Sequence, residues 1–583
     1  MTDTNIDNID MDNPELKQAL QIIHYTRNSL FLTGKAGTGK STLLRYIAST
    51  TKKKHVILAP TGIAAINAGG VTLHSFFKLP FHPLLPNDTR YSVRNIRNTL
   101  RYNGEKIKML RELELIIIDE ISMVRADIID FIDKVLRVYC RNMREPFGGK
   151  QMLFVGDIYQ LEPVLKEEDR QLLHNFYQGY FFFDAIVFRT FRLISIELRK
   201  VYRQSDPVFI NILDHIRSNH ATDADLALLN KRVTTNQVAP SDNEMRITLS
   251  TRRDTVDYIN QQELAKLSGD TVVFTGIIKG EFPENSLPTP IKLEVKPGAQ
   301  VIFIKNDMSH RWVNGTLGTV TCIDKSKQII TVVTDDKKEY DVEPDQWENI
   351  RYHFNEKEQK IEDELIGTYI QFPLRLAWAI TIHKSQGLTF KNVNIDFTGG
   401  VFAGGQTYVA LSRCTSLEGI NLKSAIRPSE IFVRQEVTNF AKQYNDDALI
   451  QEALKQSKAD MEYHQAAQAF EKGDFQQFLD SFFLAIHSRY DIEKPVVKRF
   501  LRLKLNIINQ LKAEIKLLKE QQAQKDKYLK KLAVEYLLLG KECEKEKMAD
   551  AAIANYQKAL ELYPTYPEAK RRIKKLQKKS GKK

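Results

Sequence analysis

The sequence predicts an α/β fold: a parallel sheet with helices on both faces, followed by an all-α C-terminal module. Three observations predict it. Gly34-Lys35-Ala36-Gly37-Thr38-Gly39-Lys40-Ser41-Thr42 fits G-x-x-x-x-G-K-[ST], a loop that closes backbone N–H groups around a phosphate chain between a strand and a helix. The short apolar runs Leu30-Phe31-Leu32, Val56-Ile57-Leu58-Ala59, Leu115-Ile116-Ile117-Ile118 and Met152-Leu153-Phe154-Val155 are separated by helical patterns, the layout of buried parallel strands. After about residue 436 the strand signals stop and the chain reads as helix.

The loop fixes a substrate class, a nucleoside triphosphate. Leu30-Phe31-Leu32 leads into it, and Leu43-Leu44-Arg45-Tyr46-Ile47 continues a helix whose N-terminus faces the phosphates. Glycine at 34, 37 and 39 lets the backbone approach without a Cβ in the way. With Ala36, Thr38 and Thr42 these residues are expected to form the cradle. Lys40 supplies positive charge for the β- and γ-phosphates, and Ser41 a hydroxyl for magnesium.

At 583 residues the chain has room for about four ordinary domains. No apolar run is long enough to span a bilayer, so no membrane partner is expected. The N-terminus, with Asp3, Asp7, Asp10 and Asp12, is acidic and unlike a signal peptide. Cys140, Cys322, Cys414 and Cys543 are scattered without metal-ligand spacing, so a reducing cytoplasmic compartment is expected. The net charge of +12 invites a nucleic-acid partner, but its location matters. Residues 491–583 hold 25 Lys and Arg against 12 Asp and Glu, a surplus of 13, so the preceding residues sum to −1. A nucleic-acid groove in the body of the chain must therefore come from local arrangement rather than bulk charge.

Residues 1–13 are expected to be disordered and residues 14–190 to form a first αβ domain. The segment 76–111 interrupts it as an insertion. It starts Pro-rich (Pro80, Pro83, Pro86) and continues basic through Arg90, Arg94, Arg97 and Arg101. Residues 191–435 read as a second αβ domain. It is interrupted at about 290–370 by β-forming runs such as Gln300–Ile304 and Ile329–Val333, which suggest a small inserted β-barrel. Val393–Phe397 resumes the parent sheet. In residues 436–583, Leu501, Ile508, Leu511, Ile515 and Leu518 form an a/d-like stripe, a length that fits a coiled coil or a bundle helix equally. Gly540, Ala552, Tyr556, Ala559 and Pro564 stand at tetratricopeptide offsets, with a fainter copy around Ala466, Gly473, Phe482 and Ala485. Such repeats need neighbours to bury their apolar faces, so a plain helical hairpin is the alternative.

Several other segments carry chemistry beside a phosphate loop. Asp119 ends an apolar strand and is expected to hold magnesium, and Glu120 after it to polarise the attacking water. Gly156–Val164 follows another apolar strand. The amide of Gln160 can both donate and accept, so it can sense the γ-phosphate. Arg203, in Lys200-Val201-Tyr202-Arg203-Gln204, and Arg413, in Tyr408-Val409-Ala410-Leu411-Ser412-Arg413, could stabilise charge on the transferring phosphoryl group from a second domain.

In this order the segments resemble superfamily-one DNA helicases, most closely the PIF helicase family of the 5′-to-3′ branch that includes RecD and Dda. Further segments carry the resemblance: Ala59–Ala65, Thr72–Phe76, Pro146–Gly149, Val201–Gln204 and Thr381–Gly387. It covers about residues 14–435 and leaves the helical tail outside. The resemblance implies two RecA-like domains with ATP and magnesium between them. Lys40, Glu120, Gln160, Arg203 and Arg413 would be catalytic, Ser41 and Asp119 would organise the metal, and Gly387 would lie on the nucleotide side. It implies single-stranded and fork DNA as partners, contacted by Thr61, His74 and Phe76 on the first domain and by His383, Lys384 and Ser385 on the second. Phe76 would stack on a base. The insertion after Phe76 would split the duplex and the β-rich insertion would hold the strand. One departure concerns the glutamine that often reads adenine upstream of the loop: Gln18 and Gln21 are candidates, but Lys17 stands near the expected position. The tail suggests docking of a protein partner.

The expected activity is ATP-dependent 5′-to-3′ translocation with duplex unwinding, in DNA repair, recombination or replication. Two rivals stay open. One is an ATP-driven remodeller of protein–DNA complexes; the other is a scaffold acting through the helical tail.

Overall fold

The computed structural model describes residues 10, 12–80, 82–204, 206–233, 245–307, 309, 311–355, 358, 360–489 and 495–580. Asp3 and Asp7 of the acidic N-terminus lie outside the described residues. The chain divides into two compact units, Met1–Ser481 and Phe482–Lys583.

In the first unit, six parallel strands form one sheet: β1 (Leu30–Gly34), β2 (His55–Ala59), β3 (Val71–Thr72), β4 (Leu115–Ile118), β5 (Gln151–Val155) and β6 (Ile194–Leu198), in the order β3-β2-β4-β5-β1-β6. β1, β4 and β5 are buried at every position. Helices cover both faces, which is why these strands read as continuous apolar runs rather than alternating ones. The sheet runs past position 190, where the sequence suggested a boundary, because β6 pairs with β1 along Leu30↔Ile194 to Gly34↔Leu198. All strands point the same way, so the loops after β1, β2, β3, β4, β5 and β6 gather at one edge. That crevice is where open α/β sheets bind ligands.

A second parallel sheet has Ile247–Ser250 and Val393–Asp396 at its centre, flanked by Ala379–Thr381 and Ile420–Leu422. Between its first two strands in sequence lies the β-rich insertion, which is antiparallel throughout. It begins at Val272, earlier than the composition suggested, because Val272–Thr275 pairs with Lys292–Val295. Its core gathers Phe274, Val301, Phe303, Trp312, Val332 and Phe372. A long hairpin, Asp345–Asn355 with Lys360–Gln371, extends from it.

Segment 76–111 contains the helices Ile96–Leu100 and Gly104–Glu112. Ile96, Leu100, Met109 and Leu110 are buried in the same core as helix Ala126–Cys140. The segment is therefore anchored on the first sheet's layer rather than projecting freely.

The composition changes at about residue 436, but the division between units falls after Ser481. The helices Gln435–Ala441 and Asp447–Glu471 pack on the first sheet's layer. Phe440 stacks on Phe183 with centroids 4.3 Å apart, and Ile450 and Ala453 join the core containing Leu30 and Leu32. Full burial of Ile450 contributes about 1.5–3 kcal/mol.

The second unit contains the long helix Pro495–Lys545, followed by Ala549–Leu562 and Pro567–Ser580. Ala533, Leu537, Ala552, Tyr556, Ala559 and Ala569 form its core. Among the described residues no helix is long and apolar enough to cross a membrane.

Candidate active site and nucleic-acid interface

The phosphate loop connects β1 to helix Lys40–Thr50. Gly37 has φ +81°, and a Cβ there would lie 2.4 Å from the Cβ of Arg203, so no larger residue fits. The N–H of Tyr202 donates to the Gly37 carbonyl at 2.8 Å, which ties the segment after β6 to the loop. The Lys40 ammonium donates to the carbonyls of Gly34 (2.7 Å) and Lys35 (2.9 Å). Burial pulls its pKa below the usual lysine value, against the opposing charges of Asp157 and Glu120. Ala36 and Thr38 are buried, whereas Ser41 and Thr42 are exposed on the first helical turn.

Asp119 and Glu120 follow β4 at the same edge. Asp119 accepts the N–H of Glu120 at 2.9 Å, and burial raises its pKa. Glu120 sits in the left-handed region at φ +48°, a strained conformation for a residue with a Cβ. Burial, and then the charge of Asp119, push its carboxyl up to about 7. A carboxylate so poised suits general-base work near neutrality. After β5, Gln160 is buried, and its side-chain carbonyl lies 3.5 Å from the donating amide of Gln386, which belongs to the second sheet's layer.

The second layer reaches the phosphate loop. The helix Gln406–Ser412 brings the Tyr408 hydroxyl to the N–H of Ala36, which donates to it at 2.9 Å. Arg413 is almost fully buried and donates to the carbonyls of Val409 (3.1 Å), Ser385 (3.3 Å) and Leu388 (3.4 Å). Burial, and then the charge of Arg203, push its pKa down to about 9. Burial likewise lowers Arg203, whose Nη1 is buried with no hydrogen-bond partner among the described residues. An orphaned buried guanidinium nitrogen beside a glycine loop is matched by a phosphate oxygen. With Lys40, Ser41 and Asp119, the donor set fits a magnesium–triphosphate.

Several residues escaped the sequence reading. Arg217, at the end of helix Pro207–Arg217, is buried and bonds Asp157 (3.1 Å) and Glu197 (3.0 Å), the latter on β6. Its guanidinium also lies 4.4 Å from the Tyr159 ring centroid. Lys35 pairs with Asp214 on the same helix. Gly405, at φ +79°, precedes helix Gln406–Ser412, and a Cβ there would fall 2.2 Å from the Gln160 carbonyl oxygen. Only long-range contacts identify these residues; the Gly404-Gly405-Gln406 run is the sole local signal.

The expected nucleic-acid residues separate into two groups. Thr61 is exposed, and its Oγ1 caps helix Gly62–Ala68 by accepting the Ala64 N–H at 3.2 Å. His74 is half-buried after β3, and burial lowers its pKa. His383 is half-buried, its ring stacked toward Phe402 at 6.4 Å, and Lys384 is exposed. Gly387 has φ +79° with open space where a Cβ would be.

Two expectations are corrected. Phe76 is buried: Lys106 lies over one face of its ring, 3.2 Å from the centroid, and Tyr352 of the long hairpin meets it edge-on, so no base can stack there in this state. Ser385 is fully buried because the 3₁₀ turn His383–Ser385 directs it inward. Its hydroxyl donates to Ile382 and its carbonyl accepts from Arg413, so it belongs to the arginine network rather than to a DNA face. Of the adenine-reading candidates, Gln21 donates to Ser457 at 2.7 Å and is thereby committed to the tail helix, whereas Gln18 is half-buried.

The chain is similar to known proteins over this whole region. The sequence profile described as PIF1-like helicase matches residues 13–225. The ATP-dependent DNA helicase Pif1 of Bdellovibrio bacteriovorus is 33% identical over 437 residues, covering 74% of this chain and 92% of that protein. The chain spans 46% to 63% of the longer PIF1 and PIF7 relatives. The crystal structure of Bacteroides sp Pif1 in complex with ADP-AlF4 is 40% identical with a TM-score of 0.68, covering 74% of this chain and 96% of that one. Bacteroides Pif1 in complex with ADP-AlF3 and ssDNA is 41% identical with a TM-score of 0.53, covering 74% and 96%. On this evidence, from the glycine loop to the arginines that meet it, the chain belongs to the PIF1-like helicase family.

Proposed function

We propose that this helicase hydrolyses ATP in the cleft between its two parallel sheets and uses the cycle to move 5′ to 3′ along single-stranded DNA and open forked duplex. One observation carries the reading: the layer of the second sheet touches the nucleotide loop of the first through Tyr408 on Ala36, and from the same layer the charge of Arg413 acts on Glu120 and Arg203. A site completed from both sides has an affinity between its halves that depends on the γ-phosphate.

In this reading residues 14–190 and 191–435 supply the two motor domains, with β6 lent to the first. Lys40 binds the β- and γ-phosphates, and Gly34, Ala36, Gly37, Thr38, Gly39 and Thr42 shape the cradle. A magnesium ion at Ser41 and Asp119 would neutralise phosphate charge when bound. Glu120 accepts the proton of the attacking water and Gln160 orients it. Arg203 and Arg413 stabilise the charge that develops, and Gly387 gives the adjoining turn its freedom. Thr61, His74, His383 and Lys384 line the DNA path above the sheets' C-terminal edges, and segment 76–111 meets the duplex. The Bacteroides relative that binds both ADP-AlF3 and ssDNA supports this pairing of ligands.

We assign the helices around Gly540 and Tyr556 to a tetratricopeptide-like element that docks a protein partner. A Cβ at Gly540 would lie 2.5 Å from the Tyr556 ring, the close helix approach such repeats use. We place the helicase's work in DNA repair, recombination or replication, and the four free thiols favour a reducing cytoplasm as the setting.

Strand displacement on duplexes with either a 5′ or a 3′ single-stranded tail tests the proposal. Unwinding is expected from the 5′ tail only. Unwinding only from the 3′ tail would overturn the polarity. DNA-stimulated ATPase activity without unwinding from either tail would favour a remodeller of protein–DNA complexes.

A further inference from the structure

Helix Pro495–Lys545 is covered near both ends: close to its start Phe500 stacks on Phe482 with centroids 6.0 Å apart and Leu501, Lys504 and Ile508 are half-buried, and it is covered again toward its C-terminal end. There Ala533, Leu537 and Gly540 are buried against the helices that follow. From residue 509 to residue 528 every position is exposed. That stretch is not simply polar: Leu511, Ile515 and Leu518 are 40%, 52% and 62% exposed, on a helix whose neighbouring positions are mostly Lys, Glu and Gln. A bundle helix, one of the two readings the sequence leaves open, would bury Leu511, Ile515 and Leu518 along with Leu501 and Ile508, of which only the last two are half-buried.

The stripe has a specific chemistry. With Leu501 at heptad position a, Ile508 and Ile515 also fall at a, and Leu511 and Leu518 at d. Isoleucine at a with leucine at d is the combination that favours two parallel strands. The same register puts Glu514 at g and Lys519 at e. In a parallel pair a g residue meets the e residue five positions further along the other helix, so Glu514 faces Lys519 on both sides of the seam. An antiparallel pair with Ile508 over Leu518 would instead set Lys512 against its own copy and Glu514 against its own copy. Lys504 at d and Gln522 at a bracket the apolar stretch, and polar residues at core positions fix register.

We propose that the partner of this stripe is a second copy of the chain, and that residues 501–532 form a parallel two-stranded coiled coil. Two motors would then be joined through their tails.

Sedimentation equilibrium of the full chain tests this. The expected mass is twice the 67.2 kDa of one chain. Ile515→Asp should give the monomer mass. Glu514→Lys and Lys519→Glu should each raise the dimer dissociation constant at least about tenfold, and the two together should bring it back to within about threefold of the parent. A chain that stays monomeric at every concentration overturns the proposal. So does a dimer that survives Ile515→Asp, or a double charge reversal that fails to restore association.

Discussion

The hydroxyl of Tyr408 accepts the backbone N–H of Ala36 at 2.9 Å, so a side chain from the second parallel sheet's layer completes the phosphate loop of the first. Both residues are buried. Tyr408→Phe would leave the Ala36 N–H without its acceptor, at a cost of about 1–3 kcal/mol. The loop would then be held less firmly in its nucleotide-binding shape. The KM for ATP should rise about five- to tenfold, measured as DNA-stimulated phosphate release. Unchanged kcat and KM would mean the contact is incidental.

The pH dependence of the reaction should follow Glu120. Burial and the neighbouring Asp119 hold its carboxyl up to about 7, and it acts as a base only when ionised. The kcat/KM for ATP should therefore fall as the pH drops below about 7 and level off above it. Glu120→Gln should lower turnover at least about a hundredfold while nucleotide binding persists. A profile that stays flat between about pH 6 and pH 8 would remove Glu120 as the titrating base.

Arg217 should matter first to stability. It is the buried cation that answers both Asp157 and Glu197. Arg217→Met leaves Asp157 buried and uncompensated, so the unfolding free energy should drop by about 3–5 kcal/mol. Adding Asp157→Asn should recover part of that loss, because the two residues act as a pair. Thermal denaturation of the two single variants and the double variant decides it. Strictly additive losses would show that the ion cluster couples nothing.

The reach of the sequence is set by the range of the interactions that build each part. Loop, strand and helix signals are local, so the phosphate loop, β1, β2, β4 and β5 and the residues at their C-terminal ends can be read directly. Parallel pairing then brings Thr61, His74, Asp119 and Gln160 to one edge, a consequence of topology that the motif order already implied. What depends on the far side of the cleft could not be read. Phe76 looks like a stacking residue until Lys106 and Tyr352 cover it, and Tyr352 lies more than 270 residues further on. Ser385 looks like a phosphate contact until the 3₁₀ turn directs it toward Arg413. Arg217 is one arginine among many in sequence, and only folding gives it Asp157 and Glu197. Domain edges fail for the same reason: β6 and the helix Asp447–Glu471 are assigned by their partners, Leu30 to Gly34 and the helix Pro14–Tyr25, not by composition.

Gly405 offers the sharpest test of the cleft, because a control with the same backbone lies close by in the chain. Gly405 and Gly400 have φ of +79° and +78°, so alanine costs each about 1–2 kcal/mol of backbone strain. They differ in surroundings. A Cβ at Gly400 meets nothing within 4 Å, whereas one at Gly405 lies 2.2 Å from the Gln160 carbonyl oxygen and 2.4 Å from that of Tyr159. In Gly405→Ala that clash can be relieved only by moving the Tyr159–Gln160 turn or the helix Gln406–Ser412. Either movement disturbs the site, since the turn carries Gln160 and the helix carries Tyr408 and leads into Arg413. A displacement of about an ångström at such groups can lower turnover about a hundredfold. Gly405→Ala should therefore lose DNA-stimulated ATPase activity roughly ten- to a hundredfold, while Gly400→Ala, with the same strain and no clash, loses less thermal stability than Gly405→Ala and keeps its turnover. Equal activity in the two variants would show that the close approach of these layers does not govern hydrolysis.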